Sequence, residues 1–277
     1  MHKNRQTRYA LVTGGGSGLG RAFSLHLASQ GWYVAVTDLK LSAAKETLNL
    51  LTRQGGQGHA EKLDVTDSLA WQDLRDKLQT QWPQLHLLIN NAGICSAGKV
   101  GVAPFEDSLK VLDTNLRGVL CGCHTMVPWL KETAPGGHVL NIASLFGIIS
   151  APTMTAYCAS KAAVVAFSES LHGELAPHQI GVTVAVPGFF PTNLIQHGHF
   201  DEAPYREIAS DYMARTNLTA EEVVRQTLKA IEKKQLYVAL GKKTRWYWRF
   251  KRFFPTSVTR LAAYRYRRQM LKHSTND

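Results

Sequence analysis

The stretch that decides the fold of this 277-residue chain is Thr13-Gly14-Gly15-Gly16-Ser17-Gly18-Leu19-Gly20. It follows an apolar, strand-like run and opens directly into an amphipathic run that begins at Gly18. Glycines let a backbone turn tightly and approach a diphosphate, and a helix N-terminus offers unpaired N–H groups with a partial positive charge. A glycine-rich turn is also an ordinary structural feature, so the neighbouring elements must decide its role.

Short apolar runs alternate with amphipathic runs up to about residue 240. The apolar runs predict strands covered on both faces, at Tyr9–Thr13, Tyr33–Asp38, Ala60–Leu63, Leu85–Asn90, His138–Ala143, Val182–Val186 and Leu236–Leu240. The amphipathic runs predict helices at Gly18–Ser29, Ala43–Gln54, Ser68–Gln81, Phe105–Asn115, Val119–Lys131, Thr155–Leu175 and Ala220–Lys234. Repeated strand–helix units predict the α/β class, with a parallel sheet and helices on both faces. Since no proline- or glycine-rich linker interrupts them, residues 1–241 are expected to form one domain.

The second predicted strand ends in Asp38, at the edge of the sheet where dinucleotides bind. A carboxylate there can accept hydrogen bonds from the hydroxyls of an adenosine ribose and would repel a 2′-phosphate. Ser17 and Leu39 stand where a cation could hold that phosphate. NAD(H) is therefore the favoured cofactor, and NADP(H) is the alternative because Lys40 is a nearby cation.

Two further segments follow predicted strands at the same edge. Asp64 and Val65 come after the third strand, where the carboxylate could accept from an adenine amino group or could cap the helix that starts near Thr66. Asn91-Ala92-Gly93 comes after the fourth strand, and its small residues leave room for a cofactor. Asn90, by contrast, is expected to tie neighbouring strands together.

Tyr157 and Lys161 lie four residues apart on a predicted helix and so share one face. A cation beside a phenol stabilises the phenolate and lowers the pKa of the phenol, which is otherwise about 10. Ser144 follows the fifth strand and can reach the same point, and Asn115, at the end of an earlier helix, could hold a water leading towards Lys161. Tyr-x-x-x-Lys spacing is common in helices. Its position beside the glycine-rich turn favours a catalytic interpretation.

Together these features resemble the short-chain dehydrogenase/reductase family over roughly residues 7–241. The matching motifs are Thr13-Gly14-xxx-Gly18-x-Gly20, Asp64, Asn90-Asn91-Ala92-Gly93, Asn115, Ser144, Tyr157-Cys158-Ala159-Ser160-Lys161 and Pro187-Gly188-xxx-Thr192. The resemblance implies a single, doubly wound Rossmann-like domain whose seven-stranded parallel sheet has the order 3-2-1-4-5-6-7. It also implies a homodimer or homotetramer formed through the helices predicted at 119–131 and 155–175.

The resemblance further implies a role for each matched residue. Tyr157 would be the acid/base, with Lys161 as its activator and a ligand of the nicotinamide ribose. Ser144 would orient the substrate, and Asn115 would maintain a proton relay. The expected cofactor-binding residues, from motif and resemblance together, are Gly14, Ser17, Gly18, Leu19, Gly20, Asp38, Leu39, Asp64, Val65, Asn91, Ala92, Gly93, Tyr157, Lys161, Pro187, Gly188 and Thr192.

The expected activity is hydride transfer between a nicotinamide and a carbinol or carbonyl carbon, as in oxidoreductases acting on CH–OH groups. The substrate loop implied by the resemblance, residues 189–217, begins with aromatic side chains, and the loop after Ser144 is also apolar. A lipophilic secondary alcohol or ketone fits this lining, although such rings are also ordinary packing. Two alternatives stay open: an acyl-CoA or aldehyde reductase, and a catalytically silent nucleotide-sensing scaffold. No metal site is expected.

The net charge of +11 is concentrated at the C-terminal end. Residues 225–277 carry 15 Lys or Arg and 2 Asp or Glu, which leaves 17 basic and 19 acidic residues before them. From Lys242 to Phe254 cations alternate with aromatic residues, and a helix would place Trp246, Arg249 and Phe250 on one face with Phe253. For this extension, 242–277, three interpretations compete: an anionic membrane surface, a helical lid or oligomer contact, and nucleic acid, which is disfavoured because no recognised binding module surrounds it.

The remaining composition predicts a reducing compartment. The four cysteines form no CxxC pair and are expected to be reduced and buried. The polar start MHKNRQTR does not read as a signal peptide, and no stretch approaches the ~20 apolar residues of a membrane span. We therefore expect a cytoplasmic protein, with membrane association open through the extension.

Overall fold

A computed structural model describes residues 7–132, 136–191, 194, 199–200 and 216–273, with the side chains of 199–200 and 269–273 excepted. Seven parallel strands form the main sheet: β1 (Arg8–Thr13), β2 (Trp32–Asp38), β3 (Gln57–Lys62), β4 (Leu87–Asn90), β6 (His138–Ile142), β7 (Gly181–Pro187) and β9 (Tyr237–Leu240). Two short strands, β5 (Ser96–Ala97) and β8 (His199–Phe200), pair in parallel as a separate ribbon. The ribbon was not predicted, because two-residue strands leave no periodic pattern in the sequence.

The main sheet has the order β3-β2-β1-β4-β6-β7-β9. Counted over these seven strands alone, this is the predicted order 3-2-1-4-5-6-7, and the predicted fold class is confirmed. The chain reverses its direction of winding between β1 and β4, where Leu11 pairs with Leu88 on one side and Ala35 on the other. In open α/β sheets a crevice forms at this switch point, beyond the carboxyl ends of the strands.

Helices cover both faces of the sheet. They are α1 (Gly18–Ser29), α2 (Leu41–Arg53), α3 (Ser68–Gln79), α4 (Phe105–Leu112), α5 (Gly118–Glu132), α6 (Thr155–Leu175), α7 (Ala220–Glu232), α8 (Lys242–Phe253) and α9 (Pro255–His273). Local sequence explains several starts: the Asp67 carboxylate accepts from two N–H groups of α3, and the Thr219 hydroxyl accepts from the N–H of Glu222 at the start of α7. The prediction of α4 through Asn115 was wrong at its end, because the helix stops at Leu112 and a π-helical turn, Asp113–Arg117, follows.

The sheet has an apolar core on each face, because successive strand side chains point to opposite sides. In β1, Leu11 belongs to the core that contains Trp71 and Trp129, whereas Val12 belongs to the core that contains Phe23. All four cysteines are free, and three of them are buried. The third strand begins three residues before its predicted start, because its polar first residues pair with β2 at the sheet edge.

The C-terminal extension is helical, as predicted. Its first helix, α8, contacts β9, and α9 packs on α8. The rings of Trp246 and Phe250, both on the predicted face, stack at 4.9 Å, and the row of rings continues to Phe254 at 5.0 Å from Phe250. Among the described residues, no helix has the length and hydropathy needed to span a membrane.

Candidate active site

A cavity of about 920 Å³ lies at the carboxyl ends of the strands, around the switch point. It is lined by every predicted site residue among those described, apart from Gly20 and Asn115, which lie directly behind its wall. Thr192 lies outside the described residues, and so does most of the substrate loop, 189–217. The cavity volume falls within the range of small-molecule and cofactor sites.

The glycine-rich turn forms one wall, and its glycines are needed for two different reasons. Gly14 has a φ of +61°, in the left-handed region, and a Cβ there would lie 2.9 Å from the Cα of Ala92. A Cβ at Gly20 would overlap the carbonyl oxygen of Gly14, so α1 could not pack this close to the turn. The turn therefore keeps a backbone-lined cradle that larger residues would fill.

A network of hydrogen bonds joins this turn to the segment after β4. The Thr13 hydroxyl accepts from the N–H groups of Asn91 at 2.9 Å and Ala92 at 3.0 Å. The side-chain amide of Asn91 donates to the carbonyls of Thr13 at 2.9 Å and Gly14 at 3.2 Å. The side chain of Asn91 thus braces the cradle while its backbone lines the cavity.

The start of α1 fits an anion. Ser17 is its N-terminal cap residue, and within the described part of the chain its side chain makes no capping hydrogen bond and no acidic residue occupies the first turn. By contrast, α3 and α7 have their first N–H groups satisfied by Asp67 and Thr219. The uncapped N–H groups of α1, together with the cradle, fit a diphosphate.

Asp38 and Arg21 define the adenosine end of the cavity. The Asp38 carboxylate accepts from the N–H groups of Gly16 at 3.1 Å and Lys40 at 3.0 Å, which fixes its position at the end of β2. The Arg21 guanidinium also borders the cavity, but it forms a 3.0 Å ion pair with Glu46 and donates to Gly16. The carboxylate is therefore fixed at the wall of the cavity, and the adjacent guanidinium is already paired.

The segment after β3 closes the same end of the cavity. Asp64 accepts from the N–H of Thr66 at 2.9 Å and from its hydroxyl at 2.7 Å, so its carboxylate organises the loop before α3. The helix cap considered for Asp64 is supplied by Asp67, and the contact of Asp64 with an adenine amino group stays a prediction. Val65 and the exposed Leu39 supply apolar surface beside Asp64. These three residues thus give this end of the cavity both a carboxylate and apolar surface.

Ser144, Tyr157 and Lys161 meet at the other end of the cavity. Tyr157 and Lys161 are 5% and 4% exposed, and the Lys161 Nζ lies 5.9 Å from the centroid of the phenol ring. The Ser144 hydroxyl hydrogen-bonds to Tyr157 and also accepts from the N–H of Phe146 at 3.2 Å. The Lys161 ammonium donates to the carbonyl of Ile142 at 2.9 Å. The three predicted catalytic side chains are thus brought together.

Burial is the main cause of the pKa shifts of Tyr157 and Lys161. Burial raises the pKa of Tyr157, and the hydrogen bond from Ser144 acts in the opposite direction but is the smaller effect. Burial also lowers the pKa of Lys161 to about 8. Desolvation thus disfavours both charged forms, and the role of Lys161 in lowering the pKa of the phenol stays a prediction. At neutral pH the phenol holds its proton.

Asn115 acts here as a brace. Its side-chain oxygen accepts from the N–H of Ile94 at 2.8 Å, and its amide donates to the Ile94 carbonyl at 2.9 Å and to the Ser160 hydroxyl at 3.1 Å. A Cβ at Gly93 would lie 3.0 Å from Asn115 Oδ1 and 3.4 Å from Lys161 Nζ, so the three residues are neighbours. Because these partners occupy the amide, a relay water would need other ligands. The π-helical turn that carries Asn115 is a deviation often found at functional sites.

Apolar side chains surround the catalytic group. Phe146 makes edge-on contacts with the rings of Tyr157, at 6.3 Å, and Phe189, at 5.4 Å. Met154 and Leu194 also line this end, and the carbonyl of Leu194 accepts from the thiol of Cys95 at 3.2 Å. The predicted lining is therefore present wherever the structure describes it. Phe190, at 6% exposure, packs mainly in the core.

Several residues that shape the site were not predicted from the sequence. Ser160 and Cys95 contact the catalytic group from behind, and Thr244 of α8 packs on Gly188 at the edge of the cavity. Lys251 of α8 donates to the carbonyl of Ile148, in the loop after Ser144. Ser160 stands within the Tyr157–Lys161 motif and could have been found there. The two α8 contacts are long-range and leave no local signal.

The comparisons with known proteins agree with this geometry. A sequence model described as short chain dehydrogenase matches residues 8–202. The chain is 34% identical over 184 residues to the probable oxidoreductase EphD of Mycobacterium tuberculosis; the match covers 66% of this chain, which spans only 31% of that protein. SadH of the same organism, named an oxidoreductase, is 30% identical over 238 residues, covering 84% of this chain and 86% of SadH.

Two further comparisons bear on the chemistry. Cyclopentanol dehydrogenase of Comamonas testosteroni is 32% identical over 189 residues, covering 68% of this chain and 75% of that enzyme. A short-chain dehydrogenase/reductase from Burkholderia phymatum, crystallised in complex with NAD, superposes with a TM-score of 0.80 at 27% identity, covering 84% of this chain and 88% of the other. Because the family match includes the turn, the strands and the catalytic helix on which the cavity is built, the chain belongs to the short-chain dehydrogenase/reductase family.

Proposed function

We propose that this protein is an NAD-dependent oxidoreductase that interconverts a lipophilic secondary alcohol and its ketone. The observation that carries the proposal is the convergence of the Ser144 hydroxyl, the Tyr157 phenol and the Lys161 ammonium at one end of a cavity whose other end is the glycine cradle with Asp38. A silent nucleotide-binding scaffold would need the cradle but not this polar group in an apolar pocket.

In the proposed mechanism the protein handles the proton of the substrate oxygen. A bound nicotinamide would supply or accept the hydride at the carbinol carbon. In the reduction direction the protonated Tyr157 donates to the developing alkoxide, since burial keeps the proton on the phenol at neutral pH. Ser144 donates a second hydrogen bond to the same oxygen, and the positive charge of Lys161 stabilises the phenolate that remains after the proton has left Tyr157. In the oxidation direction the proton would pass from the substrate hydroxyl to the oxygen of Tyr157.

The residues at the adenosine end support NAD as the cofactor. The Asp38 carboxylate faces the cavity, where it would accept from ribose hydroxyls and repel a 2′-phosphate. Arg21, a cation that also borders this end of the cavity, is already paired with Glu46. Lys40 is exposed at the cavity rim and is the group through which NADP could still be accepted.

The lining of the catalytic end supports a lipophilic substrate. Phe146, Met154, Phe189 and Leu194 surround the phenol with apolar surface. The similarity to a cyclopentanol dehydrogenase points towards a cyclic or branched secondary alcohol. The catalytic and cofactor roles of Asn115 and Thr192 stay predictions, and so does the cytoplasmic location.

The decisive assay follows NADH formation from NAD⁺, or NADPH formation from NADP⁺, with cyclopentanol, cyclohexanol and longer lipophilic secondary alcohols. We expect turnover with NAD⁺ and a rise in kcat/KM as apolar surface is added to the substrate. Tyr157→Phe should abolish turnover while NADH fluorescence titration still shows binding. NADH binding without turnover of any alcohol, ketone or acyl-CoA substrate would favour the scaffold alternative.

We also propose that the protein forms a homodimer or homotetramer through α5 and α6. Exposed apolar side chains on and beside these helices support it, with Phe105 68% exposed on α4 and Leu120 39% exposed on α5. Light scattering on a size-exclusion column measures the mass directly. A monomeric mass at assay concentrations would contradict the proposal.

A further inference from the structure

We propose that the outer face of α8 and α9 docks on an anionic lipid surface. This outer face consists of the exposed aromatic and basic side chains of residues 242–268, and we call it the basic aromatic face. The proposal does not depend on which alcohol the enzyme uses, because binding to vesicles is measured without turnover.

The inner side of α8 is already used for packing on the domain. Thr244 is 1% exposed against Gly188, the ring of Trp248 meets that of Tyr237 at 4.8 Å, and Lys251 donates to the Ile148 carbonyl. Positions 244, 248 and 251 are spaced by four and three residues, so they share one side of the helix. The opposite side of α8 is therefore held outwards by fixed contacts.

Large aromatic side chains project from that outer side. Trp246 is 54% exposed, Phe253 75% and Phe254 53%, although burying such rings is normally favourable. The stacked row from Trp246 through Phe250 to Phe254 organises three of the rings before any partner binds. Aromatic rings held at a surface in this way suit the boundary between lipid headgroups and acyl chains.

Cations surround these rings. The exposed ones are Lys242, Lys243, Arg245, Arg249, Arg252, Arg260, Arg265, Arg267 and Arg268. Among the described residues none of them forms a salt bridge, and the sequence contains no Asp or Glu between positions 242 and 276. The positive charge of this face is therefore available to a negatively charged partner. Exposed aromatic rings together with cations are typical of segments that bind the surface of an anionic bilayer.

The stacked row of rings suits lipid better than single-stranded nucleic acid, whereas Phe253, 75% exposed and outside the row, suits either partner. Base stacking requires an open ring face. Phe250 is covered on one side by Trp246 and contacts Phe254 on the other, so its faces are occupied within the row. Insertion between acyl chains does not require an open ring face, because any apolar edge of a ring can contact the chains. Charge alone does not separate the two partners, so both enter the test.

Docking would place the entrance of the cavity near the lipid surface. Lys251 holds Ile148, four residues after Ser144, and Thr244 packs on Gly188, so α8 contacts both segments that border the catalytic end. A lipophilic alcohol dissolved in the bilayer would then have a short path to the site. This last consequence rests on the proposed function, whereas the docking itself does not.

The test is co-sedimentation of the full chain with vesicles of phosphatidylcholine alone or of phosphatidylcholine with phosphatidylglycerol. We expect binding only to the anionic vesicles and its loss at high salt. The variant Arg245→Gln/Arg249→Gln/Arg252→Gln removes three exposed cations and, at about fivefold per cation, should weaken binding roughly a hundredfold. The matched control Lys45→Gln/Arg53→Gln/Lys131→Gln removes the same charge from exposed positions on the domain and should bind almost as the parent does.

A second variant tests the rings. Phe253→Ser alters a side chain that is 75% exposed, so it should leave the melting temperature unchanged and reduce vesicle binding several-fold. Lipids brominated near the headgroup should quench the fluorescence of Trp246, and Trp246→Phe should remove most of that quenching.

Equal binding to both kinds of vesicle, or an equal loss in the domain control, would overturn the proposal. So would binding to single-stranded RNA but not to vesicles.

Discussion

Lys161 should cost this protein stability, and the variant Lys161→Met measures that cost. The ammonium is 4% exposed, and burial lowers its pKa from 10.5 to about 8. Below pH 8 the folded protein holds a desolvated charge that the unfolded chain keeps in water. A shift of this size corresponds to about 3 kcal/mol of lost stability at pH 7, since one pKa unit is ~1.4 kcal/mol.

The sign of the pH dependence follows from proton binding. Between pH 8 and pH 10.5 the unfolded chain keeps the lysine proton while the folded protein has released it. The free energy of unfolding contributed by this group therefore rises with pH across that window, and the penalty is fully present below it. Methionine has a similar length and does not titrate. The difference between the variant and the parent should shrink by roughly 2 kcal/mol from pH 7 to pH 10.

Urea unfolding at several pH values, followed by circular dichroism, gives this difference directly. The substitution also changes side-chain packing and removes the hydrogen bond to the Ile142 carbonyl. Neither of these effects on stability titrates in this range, so the pH-dependent part of the difference reports the charge alone. Lys45→Met, at an exposed position, is the matched control and should give a flat difference. A flat difference for Lys161→Met as well would refute the assignment of a desolvated ammonium to this site.

Three further substitutions test the rest of the site. Tyr157→Phe should lower kcat by at least a hundredfold, as expected for loss of a general acid, with the Kd for NADH within about twofold; retention of more than a tenth of kcat would refute the acid/base role. Asp38→Asn should lower kcat/KM for NAD⁺ by tenfold or more and raise that for NADP⁺, and an unchanged ratio would remove Asp38 from cofactor choice. Gly20→Ala should abolish NADH binding because its Cβ meets Gly14, whereas Gly173→Ala, with open space around it, should raise stability by up to about 1 kcal/mol.

Local sequence predicted those parts of the fold that depend on local chemistry. The helices at Gly18–Ser29 and Thr155–Leu175 have the predicted ends, because a glycine turn or a loop fixes the first residue and apolar periodicity fixes the rest. The end of α4 was wrong because the π-helical turn around Asn115 depends on hydrogen bonds to Ile94 and Ser160, which are remote in sequence. Hydrophobic periodicity carries no information about such bonds.

In the candidate site, too, some features were predictable from local sequence and others were not. The residue types and their order predicted the cradle, Asp38 and the Ser144–Tyr157–Lys161 group, since each is tied to the end of a predictable strand or to one helix face. The protonation of that group was not predictable, because it depends on how completely the surrounding chain excludes water. The contacts of Thr244 and Lys251 were not predictable either, since they require the position of α8 relative to the loop after Ser144.

The shifts of Tyr157 and Lys161 have one cause and a joint consequence. Burial disfavours the phenolate and the ammonium alike. It therefore raises the pKa of Tyr157 and lowers the pKa of Lys161. A proton that leaves the phenol would create an anion in apolar surroundings, where the Lys161 ammonium and the Ser144 hydroxyl lie close enough to offset its charge. In the proposed mechanism, alcohol oxidation would therefore need Lys161 charged while the phenol is ionised, whereas ketone reduction would start from the protonated phenol that burial already favours. The buried ammonium lowers the stability of the fold, and the same charge would stabilise the phenolate that the proposed proton transfer creates.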